Sequence, residues 1–337
     1  MFKSVFANEC SARYAVTQKN LDPRSRAIEP RTLMPLPSIS VVIPLYNHEK
    51  FITAALYSII NQTLPPKEII VIDDGSLDGS GALVEAVAEA RPKIIFWSHP
   101  NRGAHNTINA GIHRASGDLV AILNSDDVYE PTRLERAAKA LLARPEADVL
   151  MTSLKFINDD GAEISNPWFD RAIGFYHECN DLGLALVNGN FFMTTSNLVA
   201  RRSLFSEVGY FADLRYAHDL DFFLRLVGHG KIIEYIDEKL LSYRLHGNNT
   251  ISENHSKVKI EWAAAVAIYL HSRWSISVSP MRWNRSGHYL DILRKHELTE
   301  LVLMFLAFFE SNNVQTLERN TWQQDPSFMS ALQAVKQ

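Results

Sequence analysis

The sequence predicts an α/β fold, a mostly parallel central sheet flanked by helices and followed by a C-terminal helical extension. Three observations carry this. Short β-branched or apolar runs begin at Ile39, Glu68, Lys93, Leu119 and Asp148. Each of the first four is followed by a stretch with apolar residues at helical spacing, so strands and helices alternate, which requires crossover connections and parallel pairing. Each of those runs also stops abruptly at polar residues, and the carboxyl ends of strands are where open α/β sheets bind ligands.

In order, residues 1–37 mix charges, small residues and four prolines without periodicity, and read as an N-terminal extension. Residues 38–255 read as the main domain. Its first strand is ISVVIP, ended by Pro44; LYNHEK then leads into a helix carrying Phe51, Ile52, Ala55, Leu56, Ile59 and Ile60, with Asn47 as its cap. The second strand, Glu68–Ile72, ends in Asp73 and Asp74, and a helix from Ser80 to Arg91 stops before Pro92. Lys93–Trp97 is the third strand, after which Asn101, Arg102 and Gly103 open a helix with Ile108, Ile112 and Ala115 on one face. The fourth, Leu119–Leu123, runs into Asn124, Ser125, Asp126 and Asp127, and a helix follows from Thr132 to Ala143. Side-by-side carboxylates repel unless something positive lies near them, and a divalent metal carrying a phosphate fits that need.

After residue 152 the pattern changes. Asn158–Gly161 has hairpin-turn composition, Asn190–Ala200 reads as extended, Asp219–Val227 as helix, and Ile232–Ile236 and Leu240–Tyr243 as two short strands. Residues 256–337 read as a helical region packed on the domain, with Leu301–Phe309, flanked by Glu300 and Glu310, as a buried helix.

Composition narrows the function. The chain has 337 residues, 46% of them apolar, and a net charge of −4, with no basic block of the kind a nucleic-acid partner requires. Its two cysteines form no paired motif, and no run approaches a membrane span, so a cytoplasmic location is expected. Common phosphate loops fail. The third glycine of a dinucleotide fingerprint starting at Gly79 would fall at Val84, and Gly230-Lys231 is followed by Ile232 where a phosphate loop needs Ser or Thr. A nucleotide held here needs acidic residues and a metal.

Taken together, IPLYN, IDDGS, NRG and NSDD, in this order and each at a strand end, resemble the inverting family-2 glycosyltransferases with the GT-A (nucleotide-diphospho-sugar transferase) fold, over about residues 38–250. The resemblance implies a nucleotide-sugar donor, UDP-based, a divalent cation (Mn²⁺ or Mg²⁺), and sugar transfer with inversion to the hydroxyl of a glycan or lipid-linked glycan, the latter placing the chain at the inner face of a membrane. It assigns Pro44, Tyr46 and Asn47 to the base and ribose pocket, Asp74 to the ring N–H of uracil, Arg102 to the diphosphate and Asp126 to the ribose. Asp127 and His246, the latter in YRLHGNNT, are the implied metal ligands. Asp219 is the implied general base, at a helix start that favours a carboxylate; Asp221, two residues on, points elsewhere. The chain departs from the family at Ile108 and His218, where Arg and Glu are usual. Those departures leave a non-catalytic nucleotide-sugar binder as an alternative, and the carboxylate-bound metal leaves a nucleotidyltransferase.

Overall fold

Parallel pairing fills the first half of the sheet, as the alternation requires. In the computed structural model, which describes residues 35–247, 254–275, 283–313 and 322–335, strands β1 (Ile39–Leu45), β2 (Glu68–Asp73), β3 (Ile94–Ser98) and β4 (Leu119–Ile122) lie side by side in the order β3-β2-β1-β4. All three pairings are parallel. The intervening helices are α1 (Ile52–Ile60), α2 (Ser80–Ala88) and α3 (Ala104–Arg114). Alternating residues of the strands supply two cores. Val41 and Ile43 meet α1 on one face, whereas Val42, Ile70 and Ile72 meet Ile108 and Ile112 of α3 on the other.

The second half is mixed. After β5 (Val128–Tyr129) and α4 (Arg133–Ala143) come β6 (Val149–Ile157) and β7 (Glu163–Ile164), joined through the hairpin at Asn158–Gly161. Asn158 Oδ1 accepts from the N–H groups of Asp160 and Ala162 there, and Gly161 takes φ +84°, the left-handed region this turn demands. Helices α5 (Pro167–Cys179) and α6 (Leu182–Asn188) lead to β8 (Val199–Arg201), which runs antiparallel between β4 and β6. Then α7 (Leu204–Val208), α8 (His218–Gly228) and β9 (Ile233–Arg244) complete a nine-stranded sheet.

Several sequence expectations change here. Asn47 caps no helix: α1 starts at Ile52, and Asn47 sits at φ 51° in the loop. The expected extended run Asn190–Ala200 is mostly irregular, with a single 3-10 turn at Thr195–Asn197 and strand only from Val199. The two expected strands at 232–243 are one, β9, whose pairing to β6 shifts register near Ser153, so the polar Asp237-Glu238 pair sits at an irregularity rather than a break. The expected N-terminal extension, apart from residues 35–37, and Asn248–Thr250 of the YRLHGNNT stretch lie outside the described residues.

Helices α9 (His255–Ser275), α10 (Trp283–Lys295), α11 (Thr299–Asn312) and α12 (Pro326–Ala334) follow. They do not form a separate core. Ala264 and Ala267 of α9 and Phe305 and Phe309 of α11 belong to the same apolar cluster as Val120 of β4 and Phe222 of α8. Leu301–Phe309 lies within α11 with Leu301, Val302, Phe305, Phe308 and Phe309 buried. None of the described helices is long and apolar enough to cross a membrane.

Phe305 is fully buried between the rings of Phe309, Trp322 and Phe328, so Phe305→Ala should cost about 3–5 kcal/mol in urea unfolding. Deleting residues 257–337 should uncover α8 and give aggregates on size-exclusion chromatography. A monomeric, cooperatively folding truncation would show that this apolar surface is not needed to cover the sheet.

Candidate active site

The polar ends of β1, β2 and β4 gather at one edge of the sheet, and each loop there is tied to its neighbour through side chains. Asn47 Oδ1 accepts from Leu77 N at 2.8 Å, and Asn47 N donates to Ser76 Oγ at 2.9 Å, which locks the loop after β1 to the loop after β2. Pro44 is half-buried at the end of β1, and the Tyr46 ring is exposed above it. Asp73 turns inward to accept from Ser76 N, whereas Asp74, itself buried, accepts from Arg102 N at 2.7 Å and Gly103 N at 3.0 Å. Gly103 can present its N–H this way because it holds φ +87°. An ionised carboxylate has about four lone-pair sites, so these two bonds leave Asp74 capacity for an incoming N–H. The Arg102 side chain is exposed next to it. Asp78 accepts from Glu49 N and from Ser80 N at the start of α2, tying the loop after β1 to that helix.

At the end of β4 the adjacent carboxylates part company. Asp126 Oδ2 lies 3.0 Å from His246 Nε2, and a second imidazole, His48, places its Nδ1 2.7 Å from Ser125 Oγ. Although burial opposes it, the hydrogen bond from His246 and the charge of His48 hold the Asp126 carboxyl below the usual range. Asp127 has no solvent exposure at all. Its Oδ2 accepts from Ser196 Oγ at 2.6 Å and its Oδ1 from Arg244 N at 2.9 Å, and burial followed by the charge of Asp126 pushes its carboxyl well above the ordinary value. The structure therefore brings His246 to Asp126 and leaves Asp127, the expected metal ligand, enclosed by donors of the protein itself.

Four residues that the sequence did not single out hold this corner. Thr194 Oγ1 accepts from Asn124 Nδ2, Thr195 Oγ1 donates to Asn124 Oδ1, and Ser196 Oγ accepts from Asn124 N, so the turn grips Asn124 on three sides. Arg133, fully buried, donates to the carbonyls of Ser196 and Asn197 from beneath. A Thr-Thr-Ser-Asn cluster in an otherwise apolar stretch was the available signal. Its partner, seventy residues earlier, is visible only in the fold.

Asp219 lies in the first turn of α8, half-buried. Asn190 Nδ2 donates to its Oδ2 at 2.8 Å and Leu220 N to its Oδ1 at 2.7 Å. Burial raises its carboxyl to about 7, and Asn190 Oδ1 beside it is buried without a hydrogen-bond partner. His218 is lowered to about 4 by burial and stays neutral. Asp221, as expected, is turned away: it is fully buried and paired with Arg225 at 2.9 Å. Burial raises the phenol of Tyr243 in β9, and the charges of Asp127, Asp126 and Asp219 add to that rise. From the C-terminal region, Glu261 of α9 accepts from the N–H groups of Arg215, Tyr216 and Ala217 and so fixes the approach to α8.

Removing the Ser196 hydroxyl should leave the buried Asp127 with one donor fewer. Ser196→Ala is expected to lower unfolding free energy by about 1–3 kcal/mol in urea titration. An unchanged midpoint would mean that Arg244 N and Thr194 Oγ1 satisfy Asp127 without it.

The family described as Glycosyl transferase family 2 matches residues 40–209. Chondroitin synthase of Pasteurella multocida is 29% identical over 231 residues, covering 67% of this chain and 22% of that protein. Hyaluronan synthase of Pasteurella multocida is likewise 29% identical, over 227 residues, covering 66% of this chain and 22% of that protein. The chain thus spans about a fifth of the length of these relatives. Among solved structures, S. aureus TarS 1–349 in complex with UDP-GlcNAc superimposes with a TM-score of 0.54 at 19% identity, covering 86% of this chain and 92% of that one, which establishes the shared GT-A fold. A family match over half the chain, on a sheet whose strand ends carry the site described above, makes this protein a member of glycosyl transferase family 2.

Proposed function

We propose that this glycosyltransferase moves a sugar from a UDP-sugar to a hydroxyl of a glycan or lipid-linked glycan acceptor, with inversion and in the assembly of a polysaccharide. One arrangement carries the reading: Asn190 holds Asp219, a half-buried carboxyl in the first turn of α8, and six residues on in the same segment Ser196 holds Asp127 of the strand-end pair. A base and a donor-binding corner therefore meet at one place. The synthase activities of the Pasteurella relatives support a polysaccharide product, and the UDP-GlcNAc held by TarS supports a uridine donor.

Asp74 suits the ring N–H of uracil because a carboxylate only accepts hydrogen bonds, and the exposed Tyr46 and the Pro44–Asn47 loop give the base and ribose a wall. Arg102 supplies a cation at the same edge. The donor set fits a hard or borderline divalent ion such as Mn²⁺ or Mg²⁺, with Asp126 and His246 as its ligands in place of the Asp127 assignment, because Asp127 is already enclosed. Bound there, such an ion would offset the charge on the departing diphosphate. Asp127 then acts from below, holding the backbone of Arg244 and the Ser196 hydroxyl that position its neighbour.

In the transfer itself Asp219 takes the proton of the acceptor hydroxyl as that oxygen bonds to the anomeric carbon and the bond to the diphosphate breaks. One displacement inverts the centre. Asn190 orients the carboxylate through Oδ2, and its unpartnered Oδ1 offers an acceptor for a second hydroxyl.

Asp126→Ala should abolish the dependence of UDP affinity on Mn²⁺ in calorimetry, and equal wild-type binding with and without EDTA would refute the cation assignment. Asp219→Asn should reduce transfer roughly 10²- to 10⁴-fold while sparing UDP binding. Because only the ionised form accepts a proton, the wild-type rate should fall as pH drops below about 7. The same shift has a stability consequence. With a folded value above that of the unfolded chain, Asp219 favours the native state at low pH and loses that contribution as pH rises through about 7, so Asp219→Asn should melt higher than wild type at pH 8. Near-full transfer by Asp219→Asn would place the base elsewhere.

A further inference from the structure

The residue in this corner with no assigned task is His48. Among the described residues His48, Asp126 and His246 are the one group whose ligand atoms could share an ion, all lying within 4.8 Å of one another. The two imidazoles meet nearly edge to face, centroids 5.7 Å apart at 86°, and Asp126 Oδ2 lies 3.0 Å from His246 Nε2. We propose that His48 is a third protein ligand, completing a two-histidine, one-carboxylate centre that prefers a transition metal such as Mn²⁺ over Mg²⁺. The inference rests on the reading of Asp126 and His246 as cation ligands.

Three features support it. His48 is held in place by its backbone: its N–H donates to Ser80 Oγ at 2.9 Å, and its carbonyl accepts from Phe51 N and Ile52 N, both at 2.9 Å, at the start of α1. Its ring is oriented as well. Nδ1 meets the buried Ser125 Oγ at 2.7 Å, and an imidazole that donates one N–H to an oxygen carries its lone pair on the other nitrogen, the arrangement that fixes metal-binding histidines. Finally, the donor set discriminates. Mg²⁺ prefers an octahedral shell of oxygens, whereas imidazole nitrogens suit Mn²⁺ and later metals, so two imidazoles tilt the site further than one. A histidine serving only to bond Ser125 would require neither a second imidazole nor a carboxylate at the same point.

The test uses the full chain with UDP and Mn²⁺, and reads imidazole nitrogen couplings by pulsed electron paramagnetic resonance together with Mn²⁺ and Mg²⁺ affinities by calorimetry. Wild type should show two coupled imidazoles, and His48→Gln and His246→Gln one each. The wild-type preference for Mn²⁺ over Mg²⁺ should shrink by about tenfold in His48→Gln, with thermal melting confirming that the variant folds. One imidazole in wild type, lost only in His246→Gln, with the preference unchanged in His48→Gln, would overturn the role of His48 and leave the Asp126–His246 reading standing. Absence of any bound cation would overturn both.

Discussion

Two neighbouring carboxylates at the end of one buried strand repel each other, and much of this structure is the arrangement that tolerates them. The chain separates their environments. Asp126 receives the His246 imidazole and keeps its charge, whereas Asp127 receives a hydroxyl and a backbone N–H in a dry setting that favours its neutral form. Those donors in turn need support. Ser196 belongs to a turn underpinned by the buried Arg133 guanidinium, and the Arg244 side chain spans from the Asp126 carbonyl to the carbonyls of Asn158 and Asp159. The β6–β7 hairpin, the β8 approach and the end of β9 are thereby all referenced to one strand end.

The parallel half of the fold was legible because its information is local. A β-branched run, a polar stop and a helix with Ile108 and Ile112 one turn apart can each be read without knowing what lies across the sheet. The second half was not, because its packing is remote. Residues 162–189 carry α5 and α6, and in α6 the run Gly183–Val187, with Leu184 and Leu186, is buried all round and shows no polar face to count against. The split of Ile232–Tyr243 into two strands failed for a similar reason, since Asp237 and Glu238 interrupt the apolar pattern where the ladder merely slips.

Within the site, residue type was legible and partnership was not. Asp74, Asp126, Asp219 and His246 stand at the strand and helix ends where their chemistry is usable, yet which of the two adjacent carboxylates faces His246 depends on backbone direction after Leu123. His48 and Asn190 look unremarkable in sequence because their partners come from distant segments. Asn47 illustrates the converse: a good cap residue five positions before a helix, it instead adopts a left-handed conformation to bind the neighbouring loop.

The short segment from Asn190 to Asn197 touches both halves of the site. At one end Asn190 grips Asp219, and at the other Ser196 grips Asp127 and Asn124. A displacement of either carboxylate is thus felt along a few residues of backbone at the other. If the two carboxylates serve donor and acceptor as proposed, whatever factor one ligand imposes on the affinity of the second through this segment must be returned in full by the second on the first.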